Sequence, residues 1–152
     1  MALEIERKFL VVDDSFRHLA VSQTEIRQGY LSRDADATVR VRLKGDRAFL
    51  TVKTRNQGCV RNEFEYQVPV ADVEAMLCAC KGLVLEKTRY VVPFEGFDWE
   101  VDIFHGALEG VKVAEIELPS ADAEFALPPF VGEEVTGRPE YYNSNIHILA
   151  HK

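Results

Sequence analysis

The chain has 152 residues, 47% hydrophobic and 28% charged, a composition that excludes a disordered or fibrous protein and fits one globular domain, residues 1–152. Eighteen Lys and Arg stand against 25 Asp and Glu, a formal net charge of −7, which sets the surface against phosphate backbones and argues against a nucleic-acid partner. No apolar run approaches the ~20 residues of a membrane span, so no membrane partner is expected.

The N-terminal segment Met1-Ala2-Leu3-Glu4-Ile5-Glu6-Arg7-Lys8 is charged where a secretory leader is apolar. Period-two alternation, the mark of strands, begins here at 3–12. A weak helical signal follows at 13–19, and alternation resumes at 25–32, 38–44 and 47–54, the last two separated by Lys44-Gly45-Asp46. A fifth strand is predicted at 62–68. Residues 71–81 carry Val73, Met76, Leu77 and Cys80 at i, i+3, i+4 and i+7, with Asp72 near the start and Gly82 just past the end, which predicts a helix. Strands return at 84–94 and 97–104 around the turn Phe94-Glu95-Gly96, then at 113–118. A short helix is predicted from Ser120, with Asp122 and Glu124 in its first turn and a stop before Pro128-Pro129. A weaker helical signal covers 144–151. Cys59, Cys78 and Cys80 fit neither a disulfide set nor a zinc or redox spacing, and read as buried or idle thiols of a cytoplasmic protein. Eight strands with short connections predict a mainly β (α+β), antiparallel domain with a few helices outside the sheet.

The strands carry an unusual set of charges. Glu4, Glu6 and Lys8 project from one face of the first strand, as do Arg40 and Arg42 in the third and Lys53 in the fourth. Glu63 and Glu65 pair in the fifth, Lys87 and Arg89 in the sixth, Glu100 and Asp102 in the seventh, Glu115 and Glu117 in the eighth. The opposite faces read Ile5, Val41, Val52, Phe64, Val101 and Ile116. For any one pair, the ordinary reading is the wet face of an antiparallel sheet. As a set they suggest more, because the signs are sorted by strand rather than alternated, and too few helices exist to cover a broad open sheet. A sheet of eight strands closed on itself would enclose these side chains in a polar lumen.

Such a lumen would hold eight carboxylates and six cations. Two like charges ~8 Å apart cost about 2 kcal/mol at an effective dielectric of 20, so acids this crowded need cations among them. Carboxylates with no His or Cys beside them suit a hard ion, Mg²⁺ or Mn²⁺. Guanidinium forks suit phosphate. Together the two sets ask for a compact polyanion delivered with divalent metal.

In chain order, Glu4-Ile5-Glu6-Arg7-Lys8 fits an ExExK signature. It is followed by Gln28-Gly29-Tyr30-Leu31, Arg40-Val41-Arg42, Thr51-Val52-Lys53, Glu63-Phe64-Glu65, Glu86-Lys87-Thr88-Arg89-Tyr90, Glu100-Val101-Asp102-Ile103-Phe104 and Ala114-Glu115-Ile116-Glu117. Over about residues 3 to 145 this series resembles the CYTH superfamily, the triphosphate tunnel metalloenzymes, and within it the short bacterial inorganic triphosphatases. The resemblance implies an eight-stranded antiparallel closed β-barrel whose lumen is the tunnel. It implies that Lys8, Arg40, Arg42, Lys53, Lys87 and Arg89 bind the triphosphate, and that Glu4, Glu6, Glu63, Glu65, Asp102, Glu115 and Glu117 hold one or two Mg²⁺ or Mn²⁺ ions. Glu100 reads as a neighbour in a salt bridge. Lys87 and Arg89 are the residues expected beside the scissile phosphoryl group; Tyr30 matches the family tyrosine and is a catalytic candidate, with core packing as its other reading. The family's C-terminal lysines are replaced here by Tyr142, Ser144 and Asn145.

The resemblance implies metal-dependent hydrolysis of inorganic triphosphate to pyrophosphate and phosphate, one ion neutralising the phosphoryl groups and a second positioning the attacking water. Three alternatives remain open: a class IV-type adenylate cyclase, a thiamine triphosphatase, and a non-catalytic polyphosphate-binding module. A thiamine triphosphatase would need an aromatic clamp at the tunnel mouth, and alternation puts Trp99, the single Trp, on the side opposite Glu100 and Asp102. His18, His105, His147 and His151 are scattered and receive no catalytic role. Monomer and homodimer are both compatible with the sequence.

Overall fold

The computed structural model describes residues 2–80 and 82–150. Nine strands form one antiparallel sheet: β1 (Ala2–Val11), β2 (Ser22–Asp34), β3 (Ala37–Lys44), β4 (Arg47–Thr54), β5 (Val60–Val68), β6 (Leu85–Phe94), β7 (Phe97–Phe104), β8 (Lys112–Glu117) and β9 (Val131–Glu134). Neighbours run β5-β4-β3-β2-β6-β7-β8-β1, and pairing of β1 with β5 closes the ring into an eight-stranded barrel. The closing strand is β1 itself. Residues 2–5 pair with β5, from Ala2↔Glu63 to Ile5↔Val60, while residues 6–10 pair with β8. Where β5 leaves the edge of β1, β9 takes it over at Phe9↔Glu134 and Val11↔Val131.

The eight expected strands are all present. β9 is an addition: four residues including a glycine give too short an alternation to be seen. The tight β6–β7 turn places Glu95 and Gly96 at φ 49° and 85°, the paired left-handed conformation whose twist matches that of the flanking strands. In β2 a bulge at Leu31 separates Tyr30↔Arg40 from Ser32↔Val39 and turns Leu31 outward.

Helix is scarce among the described residues. The predicted 71–81 helix is α2 (Val70–Ala79), with Pro69 at its N-cap and Cys80 already extended; Lys81 lies outside the described residues. The 13–19 signal reduces to one turn, α1 (Phe16–Leu19). The 144–151 signal reduces to a 3-10 turn, Ile146–Leu149, with His151 outside the described residues. The helix predicted from Ser120 does not form. Its start is a single turn, Ala123 N–H to Ser120 C=O at 3.2 Å, with the Ser120 hydroxyl spent on Asp122 at 2.8 Å. The chain then runs extended to lay Phe125 against Phe9 and Trp99, ring centroids 6.1 and 5.9 Å away. Tertiary burial of one aromatic overrides a marginal local preference.

Apolar side chains lie mainly outside the barrel wall. Ile5, Phe9, Trp99, Val101, Ala114 and Ile116 face outward and are covered by α1 and by the segment carrying Phe125 and Phe130. On the other side α2 drops Val73 and Leu77 onto Val41 and Ala48. It comes so near β2 that a Cβ at Gly29 would stand 2.7 Å from Cys80 Sγ. Trp99 is fully buried in the outer core, as its place in the alternation requires. A third cluster, Tyr30, Leu85, Phe104, Leu108, Val113 and Ile146, with Tyr141 and Leu149 against it, stops one end of the barrel with the C-terminal segment. The thiols of Cys59, Cys78 and Cys80 are free, Cys78 exposed and the other two half-buried. Among the described residues no helix is long and apolar enough to cross a membrane.

Candidate active site in the lumen

Because the strands alternate, every charged pair singled out above faces inward. The registers carry the pattern around the ring: Lys8↔Glu115, Lys53↔Glu63, Arg89↔Asp102 and Glu100↔Glu115 are direct neighbours. The lumen holds a cavity of about 200 Å³ in which Asn143 is the one uncharged lining residue. This is not a wet outer face. Lys87 is 0% and Asp102 1% exposed, and Lys8, Arg40, Arg42, Lys53, Arg89, Glu4 and Glu115 are all buried. Glu65 and Glu117 stand more open, at the mouth opposite the apolar stopper.

At the deep end, Arg89 donates to both oxygens of Asp102, Nε to Oδ1 at 2.8 Å and Nη2 to Oδ2 at 2.9 Å, while Lys87 Nζ lies 2.7 Å from Oδ2. Burial alone would raise the Asp102 carboxyl, but Arg89 and Lys87 hold it well below the usual range. Burial pushes the Lys87 ammonium down to about 7, against the pull of Asp102. Lys87 also donates to Asn143 Oδ1 at 3.2 Å. Glu100 accepts from Arg89 Nη1 at 3.2 Å, the salt-bridge place expected for it. The ring of Tyr30 packs in the stopper, the core-packing reading of this residue, and its hydroxyl accepts from Gln28 Nε2 at 3.4 Å.

The acidic side centres on β1. Lys53 Nζ reaches both oxygens of Glu4 at 3.2 Å and Glu63 Oε2 at 3.2 Å, and Lys8 Nζ lies 3.2 Å from Glu115. Glu4 and Glu63 thus share the Lys53 ammonium. The environment splits neighbouring carboxyls. Burial opposes ionisation of Glu4, but Lys53, with Arg61, brings it to about 2. Glu6 is raised to about 8 by burial and by the adjacent Glu115 and Glu4.

The basic side has spare capacity. Arg40 and Arg42 share Glu65, at 3.5 and 3.4 Å, and Thr51 also donates to it at 3.0 Å. The Nε–H groups of both arginines are nonetheless buried without an acceptor. Burial and the positive neighbours Arg40 and Arg89 lower the Arg42 pKa. Buried cationic donors without partners are costly and call for an anion.

Two lumen cations were not anticipated. Lys44 lines the cavity and Arg61 reaches Glu4 through Nε at 3.0 Å. Both lie on the period of their strands, Arg61 two residues before Glu63, so one more step of the alternation would have found them. Asn143 comes from outside the sheet, where no period points to it. With Lys44 and Arg61 the lumen has eight cations against eight carboxylates.

A divalent ion fits the donor chemistry of this set. Among the described residues no three acids converge into a ready-made cage. Burial and the neighbouring Glu115 and Glu4 nevertheless raise Glu6, a repulsion that a cation would relieve, and no His or Cys lines the cavity. That suits a hard cation that takes one or two carboxylates and completes its shell with water and phosphate oxygens.

Comparison with known proteins agrees with this chemistry. The model of the CYTH domain matches residues 2–146. The chain is 48% identical over 147 residues to an inorganic triphosphatase of Acetivibrio thermocellus, covering 96% of this chain and 94% of that protein. It is 39% identical over 149 residues to an inorganic triphosphatase of Nitrosomonas europaea, covering 95% and 97%. A solved inorganic triphosphatase superposes with a TM-score of 0.69 at 35% identity, over 99% of this chain and 97% of that one.

Proposed function

The chain belongs to the CYTH domain family, and on that premise we propose that it hydrolyses inorganic triphosphate to pyrophosphate and phosphate inside its barrel. The observation that carries the reading is the pair of buried Nε–H groups on Arg40 and Arg42, unpartnered donors facing a narrow lumen that already balances its own charges.

Arg40, Arg42, Lys8 and Lys53 bind the phosphoryl oxygens. Their forks and ammonium groups are held in place by Glu65, Glu115 and Glu4, so little reorganisation is needed when the anion enters. Lys87 and Arg89 flank the scissile phosphoryl group, and Asp102 fixes their direction through three contacts of 2.7 to 2.9 Å. Charge developing on the transferred group then meets cations already aimed at it. Tyr30, at the base of the lumen, closes the site behind them. Glu4, Glu6, Glu63, Glu65, Glu115 and Glu117 are the residues that would hold Mg²⁺ or Mn²⁺, with Asp102 contributing lone pairs its two cations leave free. Such an ion supplies charge neutralisation across the phosphoryl oxygens and eases attack by water. The lumen's equal numbers of cations and carboxylates explain why a metal is required: triphosphate alone would leave the buried site strongly negative.

Trp99, the single Trp, is packed in the outer core and cannot clamp a thiamine ring, which favours the inorganic substrate. The free thiols support a cytoplasmic setting, and the net charge of −7 speaks against nucleic acid as a partner.

Purified protein incubated with Mg²⁺ or Mn²⁺ and with inorganic triphosphate, ATP or thiamine triphosphate, followed by mass analysis of products, tests the reading. Metal-dependent release of pyrophosphate and phosphate, fastest on inorganic triphosphate, is expected. Cyclic AMP from ATP would transfer the assignment to the cyclase, and binding without turnover would make the tunnel a polyphosphate-binding module.

A further inference from the structure

Arg61, like Lys8 and Lys87, is a lumen cation that does not line the main cavity. It stands on β5 directly opposite Glu4 across the β1–β5 seam and reaches the acids from behind. Its Nε donates to Glu4 Oε1 at 3.0 Å, its Nη2 lies 3.7 Å from Glu6, and its Nη1 donates to Asn56 Oδ1 at 3.2 Å. Behind it lies a separate chamber of about 240 Å³, bordered by Arg33, Thr38, Arg55, Asn56, Tyr142 and Asn145. Lys53, the other cation on Glu4, lines the main cavity and has phosphate to turn to when substrate enters. Arg61 borders the chamber instead, where Asn56 Oδ1 already accepts from its Nη1.

We propose that Arg61 is a resident counter-ion that competes with the divalent metal for Glu4 and Glu6. It keeps the empty tunnel neutral and disfavours metal until triphosphate arrives with it. Arg61 is thus a positioning residue acting through the two carboxylates, and the idea rests on the reading of Glu4 and Glu6 as the groups that hold the ion. When metal and triphosphate enter together, the guanidinium releases Glu4 and turns toward the chamber. Metal loading and substrate loading become one event, because metal alone must displace an ion pair while the metal–triphosphate complex brings its own compensation to Lys53 and Arg40.

The test is Mn²⁺ binding without triphosphate, followed by the electron paramagnetic resonance signal of free Mn²⁺. Arg61→Gln is expected to bind Mn²⁺ about tenfold more tightly than wild type, the scale of one charge-assisted hydrogen bond. Arg61→Lys, which keeps the charge, should stay near wild type. A merely structural role predicts unchanged or weaker metal binding in Arg61→Gln, and that result overturns the proposal, as does Lys behaving like Gln. Arg61→Met, which keeps the aliphatic stem, serves the same comparison if the Gln variant does not fold. Glu4→Gln separates the two levels of argument. If it leaves Mn²⁺ binding in the presence of triphosphate unchanged, the ligand reading itself fails; if it weakens binding while Arg61→Gln does not tighten it, only the counter-ion idea fails.

Discussion

Glu4 and Glu6 sit two residues apart on one face of one strand, yet their carboxyls are driven to about 2 and about 8. Glu4 has Lys53 and Arg61 at hydrogen-bonding distance, whereas Glu6 has Arg61 at 3.7 Å and is crowded by Glu115 and Glu4. The sign of the consequence follows from linkage. Because the folded carboxyl of Glu6 titrates above its ordinary 4.5, its contribution to stability is full below that value and is lost as pH rises through about 8. Thermal unfolding in chelator should therefore show Glu6→Gln gaining on wild type between pH 5 and pH 9, and a difference that ignores pH would contradict the assignment. Arg40 is a different case. Its Nε–H has no acceptor and its Nη2 makes only long contacts, 3.5 Å to Glu65 and 3.5 Å to Thr51 Oγ1, so little of the fold depends on it. Arg40→Ala should raise KM for triphosphate by roughly tenfold or more, the worth of a charge-assisted hydrogen bond, and leave the unfolding temperature within a few degrees. A sharp fall in that temperature with unchanged kinetics would make Arg40 structural. The strand period made the inward direction of the thirteen residues from Glu4 to Glu117 proposed to hold phosphate and metal legible from sequence alone. It missed Arg61 because the fifth strand was read as starting at 62, while the strand starts at Val60.

Strands were more legible than anything between them. An alternating segment must bury one face, so its period survives in sequence wherever the strand is long enough. β9, four residues long, falls below that length. The 120–127 segment fails in the other direction: acids and a Ser near its start favour a helix, but the contact of Phe125 with Phe9 and Trp99 is worth more than one isolated turn. Gly29 marks where two elements meet. Its missing Cβ lets α2 lie on β2, with Cys80 Sγ 2.7 Å and Cys80 Cβ 3.0 Å from where that carbon would stand. Gly29→Ala should cost about 1–3 kcal/mol by overpacking, read by chemical denaturation, and Cys80→Ala should return part of the loss. If the two substitutions are additive, the close approach is not what the glycine serves.

At the scale of the molecule, charge is partitioned. The lumen's eight cations cancel its eight carboxylates, so the net charge of −7 belongs to the exterior. Where the lumen opens to solvent, half-buried Lys44 stands among the more exposed Glu65 and Glu117. Closure of the sheet was implied by the family resemblance and by the sorting of charge signs. The stopper was not legible, because Tyr30, Phe104, Val113 and Ile146 come from four separate stretches and no local period joins them.

The strand that closes the ring also brings Glu4, Glu6 and Lys8. Its partners are far along the chain: residues 2–5 meet residues near 60, and residues 6–10 meet residues beyond 110. Such distant pairings carry a large loop-closure cost and form slowly. Until that seam zips, a newly made chain holds opposed charges on an unclosed sheet with no lumen to share. Completion of the fold and assembly of the site are therefore the same step, and a chain caught partway through folding has no partial activity to offer.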